Sequence, residues 1–223
     1  MRRLETLVAG LALAVLVVGI ALFPLTQPAF TRIVAGRTSE VAEAGLAKAR
    51  MLSVAEQVRR FVVDGNRGGA LPSTVDGRDG FDEAAVSHLL DVRHVLSRAQ
   101  LVTGALAALL TIWIGVEVAR KRTSRIASAM RVAAIACVAL VALSALAGLV
   151  NFDWLFTQFH GLFFTAGTWE FPSDSLLIET FPEAFWATAG ATWAALILLG
   201  AAALAVGARF VRESGEGSSA SDR

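Results

Sequence analysis

The sequence has 223 residues, of which 55% are hydrophobic and only 17% are charged, whereas about 25% of the residues are charged in a typical soluble domain. The net charge of +1 argues neither for nor against nucleic acid, and we expect no nucleic-acid partner. The single cysteine, Cys137, excludes a disulfide within these residues, and its apolar neighbours predict a small buried core residue.

Four uncharged apolar runs have the length of a membrane-spanning helix: residues 7–30, 99–116, 132–152 and 184–208. A helix needs about 20 residues to cross roughly 30 Å of hydrocarbon. We expect the first run to be a retained helix and not a signal peptide, because prolines stand where a small-residue cleavage site would lie. The sequence therefore predicts an all-α membrane protein built as a four-transmembrane-helix bundle.

Basic residues near the spans predict their orientation. They cluster in three places that fall on one face of a four-span protein: residues 2–3, 120–131 and 209–212. Positive charge in short flanks marks the cytoplasmic side of a membrane protein. Both termini are therefore expected in the cytoplasm, and residues 31–98 and 153–183 on the outer side.

The chain is thus expected to contain six segments, whose membrane side follows from this orientation. They are a first transmembrane helix with a cytoplasmic N-terminus (1–30), a small, mainly helical extracytoplasmic cap (31–98), transmembrane helices 2 and 3 with a short basic cytoplasmic loop (99–152), an aromatic extracytoplasmic or interfacial loop (153–183), transmembrane helix 4 (184–211) and a disordered cytoplasmic tail (212–223). The tail is rich in glycine and serine, a composition typical of disorder.

The cap begins with a helical pattern. Apolar residues between positions 41 and 62 recur at steps of three and four. Residues 61–63 are all apolar and are also compatible with a short strand. Glycines and a proline between positions 65 and 72 end the pattern.

Turn signals separate this helix from the next. The pairs Asp76-Gly77 and Asp79-Gly80 predict turns. Asp82 is a plausible N-cap for a second helix, with Ala85 as its third helical residue. This helix is expected to run through His94 towards the second span.

The second outer segment is unusually aromatic. Residues 152–186 contain 11 of the 18 aromatic residues. An aromatic belt at the membrane interface accounts for Trp154 and Trp186, but less well for His160 at the centre of the segment. Residues 154–169 carry no charge, so this stretch is expected to dip into the interface or lie along it.

The three histidines all lie in the outer segments. His88 and Asp91 share a helix face, where the carboxylate can accept a hydrogen bond from one imidazole nitrogen. His94 points about 120° away around the helix and is expected to be structural or solvent-facing. The apolar surroundings of His160 favour a neutral imidazole, which suits a general base, although a histidine bonded to a loop carbonyl is an equal alternative.

Other chemistries have less support in the sequence. His88, His160 and Asp91 are able in principle to bind zinc, but the chain has neither a tight His-x-x-x-His pair nor cysteine ligands, and we expect no metal. The sequence contains no Gly-x-Ser-x-Gly elbow, P-loop or dinucleotide fingerprint. Ionisable residues are absent from the spans except Glu117 near an inner end, which argues against a pump or secondary transporter.

Two histidine motifs and a set of downstream residues occur together in an order that resembles a known family. They are His88-Leu89-Leu90-Asp91-Val92-Arg93, Phe159-His160-Gly161-Leu162-Phe163-Phe164, Trp169, Pro172, Asp174, Leu177 and Phe181-Pro182. This combination resembles the bacterial four-span membrane proteins that include the lipoprotein intramolecular transacylase. The resemblance covers most of the chain, including the order of the spans and both outer segments.

The resemblance implies an acyltransferase of the bacterial cytoplasmic membrane with its active site at the outer face. Such a protein moves the sn-2 acyl chain of a diacylglyceryl lipoprotein onto the amine of its N-terminal cysteine, which gives a lyso-form lipoprotein. The partners are then a diacylated lipoprotein and membrane lipid, and no cofactor is expected. The implied catalytic residues are His88 and His160, with Asp91, Arg93 and Trp169 in support.

This chemistry suits two imidazoles, since one can accept a proton from the attacking amine and one can supply a proton to the departing glyceryl oxygen. We therefore expect the side chains of His88 and His160 to lie on the order of 4–8 Å apart. The alternatives are a noncatalytic membrane protein whose outer cap binds a partner, and a zinc-dependent membrane hydrolase.

Overall fold

The computed structural model describes residues 2–221, with the side chains of residues 3–65 and 67–212. In chain order the described residues form nine α-helices: α1 (Arg2–Leu22), α2 (Pro28–Thr38), α3 (Val41–Ala44), α4 (Lys48–Val63), α5 (Glu83–Ala119), α6 (Thr123–Val150), α7 (Phe152–Gly161), α8 (Leu176–Thr180) and α9 (Glu183–Ser221). Two 3-10 turns, Phe23–Thr26 and Gly65–Arg67, and two short antiparallel strands, β1 (Thr74–Val75) and β2 (Arg78–Asp79), complete the elements. The chain divides into one compact unit of residues 2–22, 100–150 and 193–221, and a second of residues 23–99 and 151–192.

Within the described residues, four helices are long and apolar enough to cross a membrane, which confirms the predicted all-α four-helix membrane fold. The apolar spans are Arg3–Thr26, Glu83–Ala119, Thr123–Val150 and Glu183–Arg212. Each exceeds the roughly 20 residues that a membrane crossing requires.

Small residues let the helices of the first unit approach closely. A Cβ atom added at Gly10 of α1 would lie 2.6 Å from Cβ of Val132 in α6, so these helices meet with no room for a side chain. Cys137, only 1% exposed, packs among alanines in the same unit, as predicted. Trp193 of α9 donates from Nε1 to the carbonyl oxygen of Val18 at 3.0 Å. Close packing and such hydrogen bonds are what hold helices together in lipid, where the hydrophobic effect between helices is absent.

The first span ends earlier than residue 30, where the sequence placed its boundary. Helix α1 stops at Leu22 and a 3-10 turn carries the span to Thr26. Pro24 disfavours the α conformation at the preceding residue, and Pro28 starts helix α2 at a position where its missing N–H costs nothing.

The predicted helix over residues 41–62 is split in the second unit. Gly45 has a φ of 63°, a left-handed conformation that caps the C-terminus of α3, and α4 begins three residues later. Residues 61–63 lie in α4, so the strand alternative is wrong. The apolar face of α4 forms the centre of the core, where Met51, Val54 and Ala55 are fully buried.

A small hairpin follows α4. Asp76 and Gly77 form its turn with φ values of 50° and 86°, as the sequence predicted. Asp79 belongs to β2, so the second predicted turn is wrong. The Asp82 side chain accepts a hydrogen bond from the backbone N–H of Ala85 at 2.7 Å, which confirms the predicted start of α5.

Residues of both predicted outer segments share one core in the second unit. Leu177 and Phe181 pack in the same cluster as Val54 and Phe61. Ser39 Oγ also donates to the carbonyl oxygen of Thr180 at 2.8 Å. The sequence treated residues 31–98 and 153–183 as separate segments, whereas they fold together.

An ion pair adds to this connection. Arg78 Nη1 lies 2.6 Å from Oε2 of the buried Glu179. This contact is an ion pair, but its geometry does not meet the angles of a hydrogen bond. Arg78 also donates to the carbonyl oxygens of Ala44 and Asp174, at 2.7 and 3.1 Å. Arg78 thus connects the hairpin to α3 and to residues 174–179.

The end of the chain is described only in part. The backbone continues α9 to Ser221, and side chains are described to Arg212. Most of the tail predicted to be disordered, residues 212–223, therefore lies outside the residues described in full, and its disorder stays a prediction.

Candidate active site

His88 and His160 come together in the second unit. Their ring centroids lie 6.4 Å apart with an angle of 28° between the ring planes. Each side chain is buried, with 8% of its surface exposed. The separation falls within the range predicted from the sequence, although the residues are far apart in the chain.

Helix α5 places His88 within its second turn. Ala85 and Leu89 on the buried side of this helix enter the core of the unit. Arg93 Nε donates to the carbonyl oxygen of Phe61 at 2.8 Å, and its guanidinium carbon lies 4.2 Å from the centre of the Phe61 ring. These contacts secure α5 against the end of α4, so Arg93 contributes to the position of α5 through Phe61.

Helix α7 places His160 in its last turn. The Asn151 side chain caps the helix by accepting from the N–H of Trp154 at 2.9 Å. His160 Nδ1 lies 2.8 Å from the carbonyl oxygen of Phe156, one turn earlier. Because a carbonyl oxygen only accepts hydrogen bonds, Nδ1 carries the hydrogen, and Nε2 of the neutral ring keeps its lone pair.

The surroundings of His160 favour the neutral ring. Burial lowers the pKa of the His160 imidazole below its ordinary value of 6.5, and the hydrogen bond to Phe156 acts in the opposite direction. His160 is therefore a neutral base near pH 7. Burial also disfavours a positive charge on His88.

Aromatic rings enclose both histidines. Phe156 and Trp169 lie 4.0 and 4.6 Å from the His160 ring, centroid to centroid. Phe164 lies 5.0 Å from the His88 ring and 5.7 Å from the His160 ring, and Phe171 lies 5.6 Å from His88. Many aromatic residues of this segment thus form the walls of a site, which an interfacial belt alone does not explain.

Other residues of the segment are exposed. Trp154 is 54% exposed, and Leu162 and Phe163 are 78% and 48% exposed. These side chains fit the predicted interfacial role of residues 154–169. The segment therefore combines an exposed apolar surface with the buried imidazole of His160.

Two nitrogens of the site are buried and have no hydrogen-bond partner within the described part of the chain. They are Nδ1 of His88 and Nε1 of Trp169. The sequence suggested that Asp91 would accept from His88, but Asp91 is exposed and does not bond that nitrogen. His94 is exposed, as predicted for a solvent-facing residue.

Sequence reasoning missed three residues of the site: Phe156, Phe164 and Phe171. Phe156 stands four residues before His160, so helical spacing was a usable signal. The contacts of Phe164 and Phe171 with His88 depend on tertiary packing. Among the side chains described, no group of three or more His, Cys, Asp or Glu residues is arranged to hold a metal ion.

Membrane-length helices and a pair of buried histidines define a membrane-integral protein with a site suited to proton transfer. The family model for the lipoprotein intramolecular transacylase Lit matches residues 6–186, which is most of the chain. The chain belongs to this family. Membership makes it a lipoprotein transacylase, which is an acyltransferase.

Solved structures share the fold. The in meso structure of the membrane-integral transacylase Lit from Bacillus cereus has a TM-score of 0.77 and 19% sequence identity, over 97% of this chain and 98% of that chain. Two structures of the same protein with one histidine replaced by arginine or alanine have TM-scores of 0.73 and 0.67, also at 19% identity. They cover 98% and 97% of this chain and 95% and 96% of theirs, respectively. No curated protein sequence matches this chain at a significant level.

Proposed function

We propose that this protein moves the sn-2 acyl chain of a diacylglyceryl lipoprotein to the amine of its N-terminal cysteine, with His88 and His160 as the acid/base pair. The observation that carries this proposal is the approach of two buried imidazoles to 6.4 Å. A reacting group between them is within reach of both. The product is a lyso-form lipoprotein.

The reaction balances without a cofactor. The amine nitrogen forms a bond to the ester carbonyl carbon, and the bond from that carbon to the glyceryl oxygen breaks. One proton leaves the nitrogen and one arrives at the glyceryl oxygen. Amine and ester belong to one molecule, so much of the entropy cost of bringing them together is removed.

The hydrogen bonding of His160 supports its role as the base. Its Nδ1 hydrogen is directed at the Phe156 carbonyl, which leaves Nε2 to accept the proton from the amine after attack. His160 passes this proton to one ring nitrogen of His88, the other nitrogen of His88 releases a proton to the departing glyceryl oxygen, and both rings end neutral. Two groups with divided roles keep the proton close to both the attacking and the leaving atoms.

Two of the remaining predicted site residues, Arg93 and Asp91, have lesser or indirect roles. Arg93 positions the helix that carries His88 by its contacts with Phe61. Asp91 lies three residues after His88 in the same helix but does not bond its Nδ1, so Asp91→Asn should reduce the rate less than loss of either histidine. Trp169 lies against His160.

The reaction takes place at the outer face of the bacterial cytoplasmic membrane, with both termini in the cytoplasm. The basic residues between α5 and α6 support this orientation. In a Ser73→Cys variant the new thiol should react with an impermeant reagent from outside, whereas in a Ser124→Cys variant it should not. The natural Cys137 is 1% exposed and should give little background. The reverse labelling pattern would exclude this orientation.

The catalytic test uses purified protein in detergent or lipid and a synthetic diacylglyceryl-cysteine peptide. Tandem mass spectrometry locates the acyl chain on glycerol or on the cysteine amine. His88→Gln and His160→Gln should each lose most of the transfer, and the double variant should lose little more, because residues that act as a unit are non-additive. His94→Gln, at an exposed position of the same helix as His88, is the control and should be nearly normal. Normal transfer by both single variants would exclude the histidine mechanism.

A further inference from the structure

Trp169 has a buried hydrogen-bond donor that the fold does not use. Its Nε1 is closed to solvent and without a partner in the described residues. By contrast, Nε1 of Trp186 donates to the carbonyl oxygen of Phe181 at 2.9 Å, and Nε1 of Trp193 to that of Val18 at 3.0 Å. An indole N–H only donates, and a buried donor without an acceptor lowers the stability of the folded protein. We therefore expect a hydrogen-bond acceptor to bind to the Trp169 N–H during the reaction.

The position of Trp169 indicates which acceptor that is. Its ring lies 4.6 Å from the His160 ring, tilted by 31°, and 6.2 Å from the Phe156 ring. The Nδ1 hydrogen of His160 is already engaged by Phe156, and Nε2 serves as the proton acceptor. His160 therefore has no hydrogen to offer to a substrate oxygen when the reaction begins.

Acyl transfer needs such a donor at the carbonyl oxygen. When the amine adds to the ester, the electron pair of the C=O bond moves onto oxygen and leaves a negative charge there. The charge returns to the carbonyl bond when the bond to the glyceryl oxygen breaks. A preorganised donor in a site without water stabilises this oxyanion more than a donor in water does.

We propose that Trp169 is a further catalytic residue, whose indole N–H donates to the carbonyl oxygen of the sn-2 ester and to the oxyanion formed from it. This inference rests on the proposed function and names the oxyanion donor of the same site. The carbonyl oxygen is the acceptor that Nε1 lacks among the described residues. Binding thus satisfies a donor that stays unpaired in the free protein.

The proposal predicts opposite effects on rate and on stability. A substitution that keeps the size and shape of the ring but removes the N–H takes away an unpaired buried donor, so the melting temperature should stay the same or rise. The same substitution should lower kcat, because the oxyanion loses its donor. A purely structural tryptophan would show the reverse pattern, with a lower melting temperature and a normal rate per folded molecule.

The test uses two replacements in the full-length protein. One is Trp169→Phe, and the other replaces Trp169 by the tryptophan analogue in which sulfur stands in place of the ring N–H, which keeps the size and shape of the indole. Each should lower kcat by about 10²–10³-fold with little change in KM. The sulfur analogue keeps the packing of the ring, so it should not lower the melting temperature, whereas the smaller ring of Trp169→Phe also loses packing contacts. Trp186→Phe is the matched control. It removes a hydrogen-bonded indole N–H, so its melting temperature should fall while kcat per folded molecule stays near normal.

The outcomes separate this inference from the proposed function. If the sulfur analogue keeps the natural kcat while His88→Gln and His160→Gln are inactive, Trp169 is not the donor and the histidine mechanism stands. If the analogue lowers the melting temperature while the transfer rate per folded molecule stays normal, the role of Trp169 is structural and the inference fails. If both histidine variants are active, the proposed function itself fails.

Discussion

The carbonyl oxygen of Phe156 lies 2.8 Å from Nδ1 of His160, one turn away in the same helix. This contact holds the imidazole in one orientation and one tautomer. The lone pair at Nε2 is then available without a change in the fold.

The pH dependence of the rate should show two protonation steps on the acid side. The attacking amine has an ordinary pKa of about 7.7–8.0, so its protonation slows the reaction first. Burial lowers the pKa of His160 below 6.5, so its neutral form persists to lower pH and the second step lies there. A plot of log kcat against pH should therefore steepen from a slope of about one to about two below pH ~6.5. A slope that stays at one throughout the acid range would show that His160 is not the base.

Replacement of Arg93 should lower the stability of the protein and have less effect on the rate of acyl transfer per folded molecule. Arg93→Ala removes the hydrogen bond to Phe61 and the contact with its ring, and we expect a loss of about 1–3 kcal/mol in unfolding free energy. Arg98→Ala, at an exposed position of the same helix, is the control and should change stability little. Denaturant unfolding and transfer rates per folded molecule measure the two effects. A rate loss as large as that of His88→Gln, without loss of stability, would instead place Arg93 at the substrate.

Close packing of α1 and α6 predicts a sharp contrast between two glycines. Gly10→Ala places a methyl group 2.6 Å from Cβ of Val132, and such overpacking typically costs about 1–3 kcal/mol. Gly104 in α5 has open space within 4 Å of an added Cβ, so Gly104→Ala should raise stability by about 0.5–1 kcal/mol. Thermal unfolding of both variants measures the difference. Equal melting temperatures would mean that the α1–α6 contact is looser than described.

Chelation should leave acyl transfer unchanged. The proton and acyl movements are complete with two imidazoles and the substrate, so no Lewis acid is required. The measurement is the transfer rate before and after dialysis against a chelator, together with metal analysis of the purified protein. Stoichiometric zinc and loss of activity on its removal would favour the alternative of a zinc-dependent hydrolase.

Residue type and short-range spacing in the sequence correctly predicted features that form between residues close together in the chain, such as a helix cap and a turn. The Asp82 cap and the Asp76-Gly77 turn follow from residue type and spacing, and both are present. The approach of His88 and His160 was expected because of the family resemblance, since no local pattern connects the two positions. The break at Gly45 was missed because a single glycine within a helical pattern is often tolerated. The unpaired nitrogen of Trp169 was also beyond the sequence, because it depends on how several rings pack.

The core of the second unit also determines when the site can form during synthesis. Residues from the first half of the chain, including Val54 and Phe61, share that core with Phe181 and Phe185. The ribosome makes the second part of α5 and all of α6 between these two groups. A nascent chain that ends before His160 carries His88 without its partner, and the core around it stays incomplete. Acyl-transfer capacity therefore arises late in translation, after three of the four membrane helices have been made.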